Sequence, residues 1–208
     1  MSPLLFIRRG ILFLCFAATC HFNAAAQNPD IDLLNHINPK TPSSGFWQVV
    51  SPSVYMASYS LPAGMYICGV LAKDKDLKRN AWQLTGTILI SGAVTHTLKT
   101  LIRRKRPYES YPGIIHPYKP NYDHRSMPSG HTSLAFATAT GIALEYRKWY
   151  IAAPALAYAA AVGYSRMYLG VHYPSDVLAG AAVGVGSAWL SHYLAAKLFQ
   201  RKRGRSLK

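Results

Sequence analysis

The chain has 208 residues, half of them apolar and 12% aromatic, with 23 Lys and Arg against 8 Asp and Glu. That length suits one domain and excludes a multidomain machine, and the apolar content excludes a disordered chain. A net charge of +15 points to an anionic partner: nucleic acid, phosphate esters or an anionic membrane face.

The first residues place Arg8 and Arg9 before the apolar run ILFLCFAATC and the small residues Ala24, Ala25 and Ala26. This is the layout of a cleavable secretory signal over residues 1–26, or else of a first transmembrane helix. Cleavage would remove Cys15 and Cys20 and leave Cys68 alone, so an internal disulfide cannot brace the mature chain. Residues 27–45 follow, with spaced Ile31, Leu33, Leu34 and Ile37, and read as an amphipathic helix or a linker.

Five apolar segments come next, near 46–72, 81–98, 132–144, 149–165 and 177–196. No strand-like alternation occurs, so the expected fold is all-α, an integral membrane bundle of five to six spans. Charge supports a topology with the first of these segments entering from outside. Lys73, Lys75, Lys78 and Arg79, then Arg147 and Lys148, then the basic tail 201–208 would all fall on the cytoplasmic side. The cluster Arg103, Arg104, Lys105 and Arg106 would fall outside, against the rule, and an anionic ligand would explain it. The basic residues lie between apolar segments rather than on one soluble face, which argues against a nucleic-acid binder.

The loops 99–131 and 165–176 would share the outer side and hold most of the remaining reactive side chains. Lys99 and Arg106 are two helical turns apart, so a helix ended by Pro107 would present both cations to one dianion. Pro128, Ser129, Gly130 and His131 precede an apolar run. Ser129 and Gly130 at a helix start would offer a hydroxyl and backbone N–H groups to an anion, with His131 placed to give a proton to a leaving oxygen. Arg166 adds a planar cation. His172 and Asp176 are four residues apart at a helix start marked by Pro174, so the carboxylate can bond one ring nitrogen and leave the other as a nucleophile.

Lys99 with Arg106-Pro107, then Pro128-Ser129-Gly130-His131, then Ser165-Arg166 with His172 and Asp176, resembles the three-part signature of the type 2 phosphatidic acid phosphatase superfamily. The resemblance covers roughly residues 45–200 and every signature position is filled. It implies a metal-independent phosphohydrolase that needs no cofactor. His172 would attack phosphorus, Asp176 would orient it, and His131 would protonate the leaving group. Lys99, Arg106, Ser129, Gly130 and Arg166 would hold the phosphoryl oxygens. The membrane branch of that superfamily implies a lipid phosphate substrate, a bacterial inner-membrane location and an active site at the periplasmic ends of the helices. Lipid A or undecaprenyl diphosphate is favoured over phosphatidic acid or phosphatidylglycerol phosphate, because Arg103, Arg104 and Lys105 suit a multiply charged substrate. The loop 108–127 would carry specificity. A non-lipid periplasmic acid phosphatase, or a binding or transport protein without turnover, is the alternative.

Overall fold

The computed structural model describes residues 28–120 and 123–205, with side chains as far as Lys197; the leader 1–26 and the last residues of the basic tail, 206–208, lie outside these limits. Among the described residues every regular element is helical: α1 (Pro29–Ile37), α2 (Gly45–Leu71), α3 (Lys75–Ile102), α4 (Pro107–Ser110), α5 (Gly130–Tyr146), α6 (Trp149–Tyr168) and α7 (Pro174–Arg205). Local chemistry sets their ends. Asn28 caps α1 by accepting from the Asp30 N–H at 3.2 Å, with Pro29 in the first turn. Asp74 caps α3 through the N–H groups of Asp76 and Leu77 at 2.8 and 3.0 Å. Arg103 and Arg147, at φ 51° and 50°, stop α3 and α5 in left-handed turns.

The segments near 81–98, 132–144, 149–165 and 177–196 lie within α3, α5, α6 and α7, and that near 46–72 forms α2 with Ala72 as its C-cap. Two of these helices, over Gly45–Leu71 and Pro174–Lys197, are long and apolar enough to cross a bilayer by length and composition. Helix α5 is the axis of the bundle, contacting α2, α3, α6 and most extensively α7. Thr132 to Ala135 and Ala137 to Gly141 are all buried, so α5 is enclosed on every side. Its small side chains permit that closeness. A Cβ on Gly180 of α7 would stand 2.6 Å from the Ser129 carbonyl oxygen, and one on Gly184 would stand 2.7 Å from the Ala137 nitrogen. Only glycine lets α7 ride this near to α5.

The interior mixes a modest apolar cluster of Val54, Leu84, Ile88, Leu134, Ala159 and Val162 with hydroxyls that bond one another. Ser91 and Thr95 meet Ser133 at 2.6 and 2.8 Å, and Thr138 donates to Ser58 at 2.8 Å. Large apolar side chains face outward instead, among them Met56, Leu71, Trp82, Leu101, Trp149 and Leu178, each at least 65% exposed. A polar-seamed interior inside an apolar envelope is the reverse of a water-soluble bundle.

Helix α1 turns Ile31 and Leu34 into the protein, where they pack with Ile115 and Tyr173. Asn38 fastens the segment after it. Its amide donates to the carbonyls of His116 and Tyr168 at 3.0 and 2.8 Å, and its oxygen accepts from the His116 N–H at 2.7 Å. Gly170, at φ 68°, makes room for this clasp, because a Cβ there would fall 2.6 Å from the His116 oxygen.

Candidate active site

One end of the bundle gathers the C-terminal turns of α3 and α6, the N-terminal turns of α5 and α7, and the segments joining them. At its centre, His172 in the short link between α6 and α7 is 2% exposed. Pro174 opens α7, and Asp176 in its first turn brings Oδ2 to 3.5 Å from His172 Nδ1. The four-residue spacing read from the sequence thus sets the two side chains beside each other. The other ring nitrogen, Nε2, lies 3.3 Å from Nη1 of Arg106. Burial, set against the pull of Asp176 and reinforced by Arg166 and Arg106, pushes the His172 imidazole down to about 3, so the ring is neutral at physiological pH.

Arg106 reaches this position by a route the sequence did not suggest. Lys99 and Arg106 do not share a helix face: α3 stops at Ile102 with Arg103 in the left-handed region, and Arg106 is the N-cap of α4. Its guanidinium is 3% exposed and donates to the carbonyls of Asp123 and Val171 at 2.6 and 2.8 Å. Lys99 donates to the Arg125 and Ser126 carbonyls at 2.5 and 3.3 Å, tying the segment before Pro128 to α3.

Ser129 is the N-cap of α5, although its side chain makes no capping bond. Its hydroxyl instead accepts from Thr132 at 2.9 Å and keeps its own proton to donate. The Ser129 N–H is engaged with the Asp176 carbonyl at 3.0 Å, locking α5 to α7, so the first-turn N–H groups outside this lock are those of the residues that follow. His131, partly buried in the first turn, rests its ring on Tyr55 of α2, centroids 4.8 Å apart. Arg166, in the last turn of α6, is 7% exposed and donates through Nη1 to the Ser51 hydroxyl, while its buried Nε has no partner. An orphaned guanidinium N–H beside a buried histidine is a donor waiting for an acceptor.

Ser126 and Asp30 bear on this site although nothing in the sequence singles them out, and Arg104 has a part there other than the one read for it. Ser126, fully buried, donates to Asp176 Oδ2 and stands 3.3 Å from His172 Nδ1. Arg104 bonds Asp176 Oδ1 at 2.9 Å and Asp30 Oδ2 at 2.7 Å. That corrects the reading of Arg104 as a spare cation for substrate, since two carboxylates already neutralise it. Arg103 is exposed and turns its Nε back to the Thr100 carbonyl at 2.9 Å, and Lys105 is exposed. The partners of Ser126 and Asp30 lie far along the chain, so no local pattern marks either one.

The fold is a polar-cored helical bundle with a buried His–Asp pair among several cations, and comparison makes its class specific. The model of the PAP2 superfamily matches residues 80–200, and the chain belongs to that family. It is 36% identical to the lipid A 1-phosphatase of Rhizobium johnstonii over 118 residues, 55% of this chain and 46% of that protein. It is 34% identical to the undecaprenyl-diphosphatase BcrC of Bacillus subtilis over 134 residues, 64% of this chain and 67% of that one. Among solved structures, Aquifex aeolicus LpxE superposes with a TM-score of 0.63 at 25% identity, covering 83% of this chain and 98% of that chain. The chain spans less than half the length of the lipid A phosphatases it matches.

Proposed function

We propose that this chain is a membrane-embedded phosphatase that hydrolyses a lipid phosphate or diphosphate through a phosphohistidine on His172, without metal or cofactor. The observation that carries the reading is the two-sided setting of His172. Nδ1 faces Asp176 at 3.5 Å and Nε2 faces a guanidinium rather than a carboxylate, so the free nitrogen points where an anion would lie. Family membership and the phosphatases among the relatives support it.

The neutral imidazole attacks phosphorus with its Nε2 lone pair, and the bond to the leaving oxygen breaks. His131 gives that oxygen a proton as it departs, and Asp176 stabilises the positive charge left on the His172 ring. Water then attacks the phosphohistidine, His131 takes the water's proton, and the P–N electron pair returns to Nε2. Arg106, Arg166 through its open Nε, Lys99, the Ser129 hydroxyl and the N–H of Gly130 hold the phosphoryl oxygens. Arg106, Arg166 and Ser129 are buried and held in place before charge develops, which is what makes such donors effective in the transition state.

The apolar envelope and the two long apolar helices support a bilayer setting. The spans of this reading are α2, α3, α5, α6 and α7, the helices that hold the five apolar segments. The basic residues near 73–79 and 147–148 lie at the ends of α2 and α3 and of α5 and α6, opposite the His–Asp pair, and favour a cytoplasmic face there. The site would then open to the periplasm of a bacterial inner membrane. Lipid A and undecaprenyl diphosphate are the preferred substrates, supported now by the relatives rather than by the cluster Arg103 to Lys105.

The test is phosphate release by the detergent-purified protein, with chelator present, from lipid A, undecaprenyl diphosphate, phosphatidic acid, phosphatidylglycerol phosphate and a small soluble ester. Rapid release from lipid A or undecaprenyl diphosphate is expected. Turnover of the soluble ester alone would reduce the protein to a general acid phosphatase, and no turnover would leave binding or transport.

A further inference from the structure

The Asp176 carboxylate is fully buried and saturated. Oδ1 accepts from Arg104 Nη1 at 2.9 Å, while Oδ2 accepts from the Tyr173 N–H at 2.9 Å and from the Ser126 hydroxyl, and faces His172 Nδ1. Arg104 is itself clamped. Its Nη2 bonds Asp30 Oδ2 at 2.7 Å, its Nη1 also reaches the Ser175 hydroxyl at 2.6 Å, and its Cζ lies 3.7 Å over the Tyr173 ring. Asp30 closes the circuit by accepting from the Ser175 N–H at 2.8 Å and from the Ser175 hydroxyl. The planar fork of arginine suits this geometry, because one guanidinium spans two carboxylates with separate N–H groups.

Asp30 belongs to α1, upstream of the residues 80–200 that match the family model. Helix α1 is held there independently by Ile31 and Leu34 against Tyr173 and Ile115, and by the Asn38 clasp, so its carboxylate is presented on a fixed support. We propose that Asp30, acting through Arg104, and Ser126 are positioning residues that hold the Asp176 carboxylate against His172 Nδ1, so that the segment ahead of the signature completes the catalytic pair. The inference rests on the phosphatase reading.

Physically, each partner removes one freedom. Arg104 fixes Oδ1 and offsets the charge of a carboxylate that has no water around it, and Asp30 stops the guanidinium from turning away. Ser126 fixes Oδ2 within reach of the ring. None of the three need touch the phosphoryl group, so their loss acts on kcat rather than on substrate capture.

The experiment compares Asp30→Asn, Arg104→Gln, the double variant, Ser126→Ala, Ser126→Thr and His172→Ala as full chains in detergent, scored for folded yield, kcat and KM. Partners that orient a reacting imidazole are typically worth about 10- to 100-fold, so Asp30→Asn and Arg104→Gln should each lower kcat by about that factor with KM little changed. If Asp30 acts through Arg104, as proposed, the double variant should be no slower than Arg104→Gln alone, whereas action through its two bonds to Ser175 would add a further loss. Ser126→Thr, which keeps the hydroxyl, should recover much of what Ser126→Ala loses. Wild-type kcat in Asp30→Asn, multiplying losses in the double variant, or losses confined to KM would overturn the proposal. If Arg104→Gln does not fold, Ser126→Ala and its threonine rescue decide, and wild-type kcat in Ser126→Ala overturns the role of that residue. Full activity in His172→Ala would instead remove the phosphatase reading itself.

Discussion

Nη1 of Arg106 stands 3.3 Å from Nε2 of His172, so the nitrogen proposed as nucleophile faces a cation. A permanently charged donor at that distance can be accepted only by an unprotonated nitrogen, so the contact keeps Nε2 in its reactive form. When a phosphoryl group arrives, the same guanidinium can pass from nitrogen to phosphate oxygen with little movement. Arg106→Ala should therefore lower kcat/KM by about 10²- to 10³-fold, and Arg106→Lys should recover only part of it, because an ammonium cannot also hold the Asp123 and Val171 carbonyls in the same fork. Steady-state kinetics on the preferred lipid checks this.

His131→Ala should separate substrates by leaving group. If His131 protonates the departing oxygen, its loss should cost about 10²- to 10⁴-fold on a lipid ester. An aryl phosphate whose leaving group departs unprotonated should suffer far less. Equal losses on both substrates would assign His131 to phosphate binding.

The neutral, buried state of His172 carries a stability prediction. Between its folded value of about 3 and the ordinary value of about 6.5, the unfolded chain binds a proton at this ring that the folded chain does not. Stability from this group is thus present above pH 6.5 and lost as pH falls through that window, by about 2 kcal/mol from pH 7 to pH 5. Thermal unfolding in detergent should show a steeper fall in Tm across that range for the wild type than for His172→Gln.

Glycines in α7 give a packing test with its own control. Gly180→Ala would bring a methyl to 2.6 Å from the Ser129 oxygen and force apart the turns that carry Ser129 and Asp176. Overpacking of this kind should lower Tm and reduce activity at least tenfold, with a cost of roughly 1–3 kcal/mol. Gly186→Ala, which meets nothing within 4 Å, should leave both unchanged.

Orientation can be read from cysteine labelling. Cys68 is free and exposed near the end of α2, on the side assigned to the cytoplasm, while Lys119 is exposed in the loop before the site. In intact spheroplasts of a Cys68→Ser, Lys119→Cys variant an impermeant thiol reagent should react at once, whereas Cys68 in the wild type should react only after lysis. The reverse pattern would place the site on the cytoplasmic face.

What could be read from the sequence is what lies close along the chain. His172 and Asp176 sit one turn apart across Pro174, and the helix start at Gly130 follows from the apolar run behind it, so both emerged from spacing. Arg106 was identified but misplaced, because the left-handed turn at Arg103 is made by a residue that does not favour it and nothing local announces the end of α3. Arg104 was misjudged for a different reason. Its charge is visible in sequence, but whether a cation is free for substrate depends on carboxylates more than seventy residues away in either direction. Ser126 and Asp30 share that difficulty. The small residues of α5 carry no evident meaning in the sequence, and their role is clear only once α7 is seen packed against them.

If phosphorus passes through His172, it can be trapped there. The protein is mixed with lipid labelled in the phosphate to be removed, quenched in alkali within one turnover, and mapped by peptide. An alkali-stable, acid-labile phosphate on the peptide containing His172, absent in His172→Ala, is the predicted result. Rapid phosphate release with no label on the protein, or label that persists in His172→Ala, would contradict it.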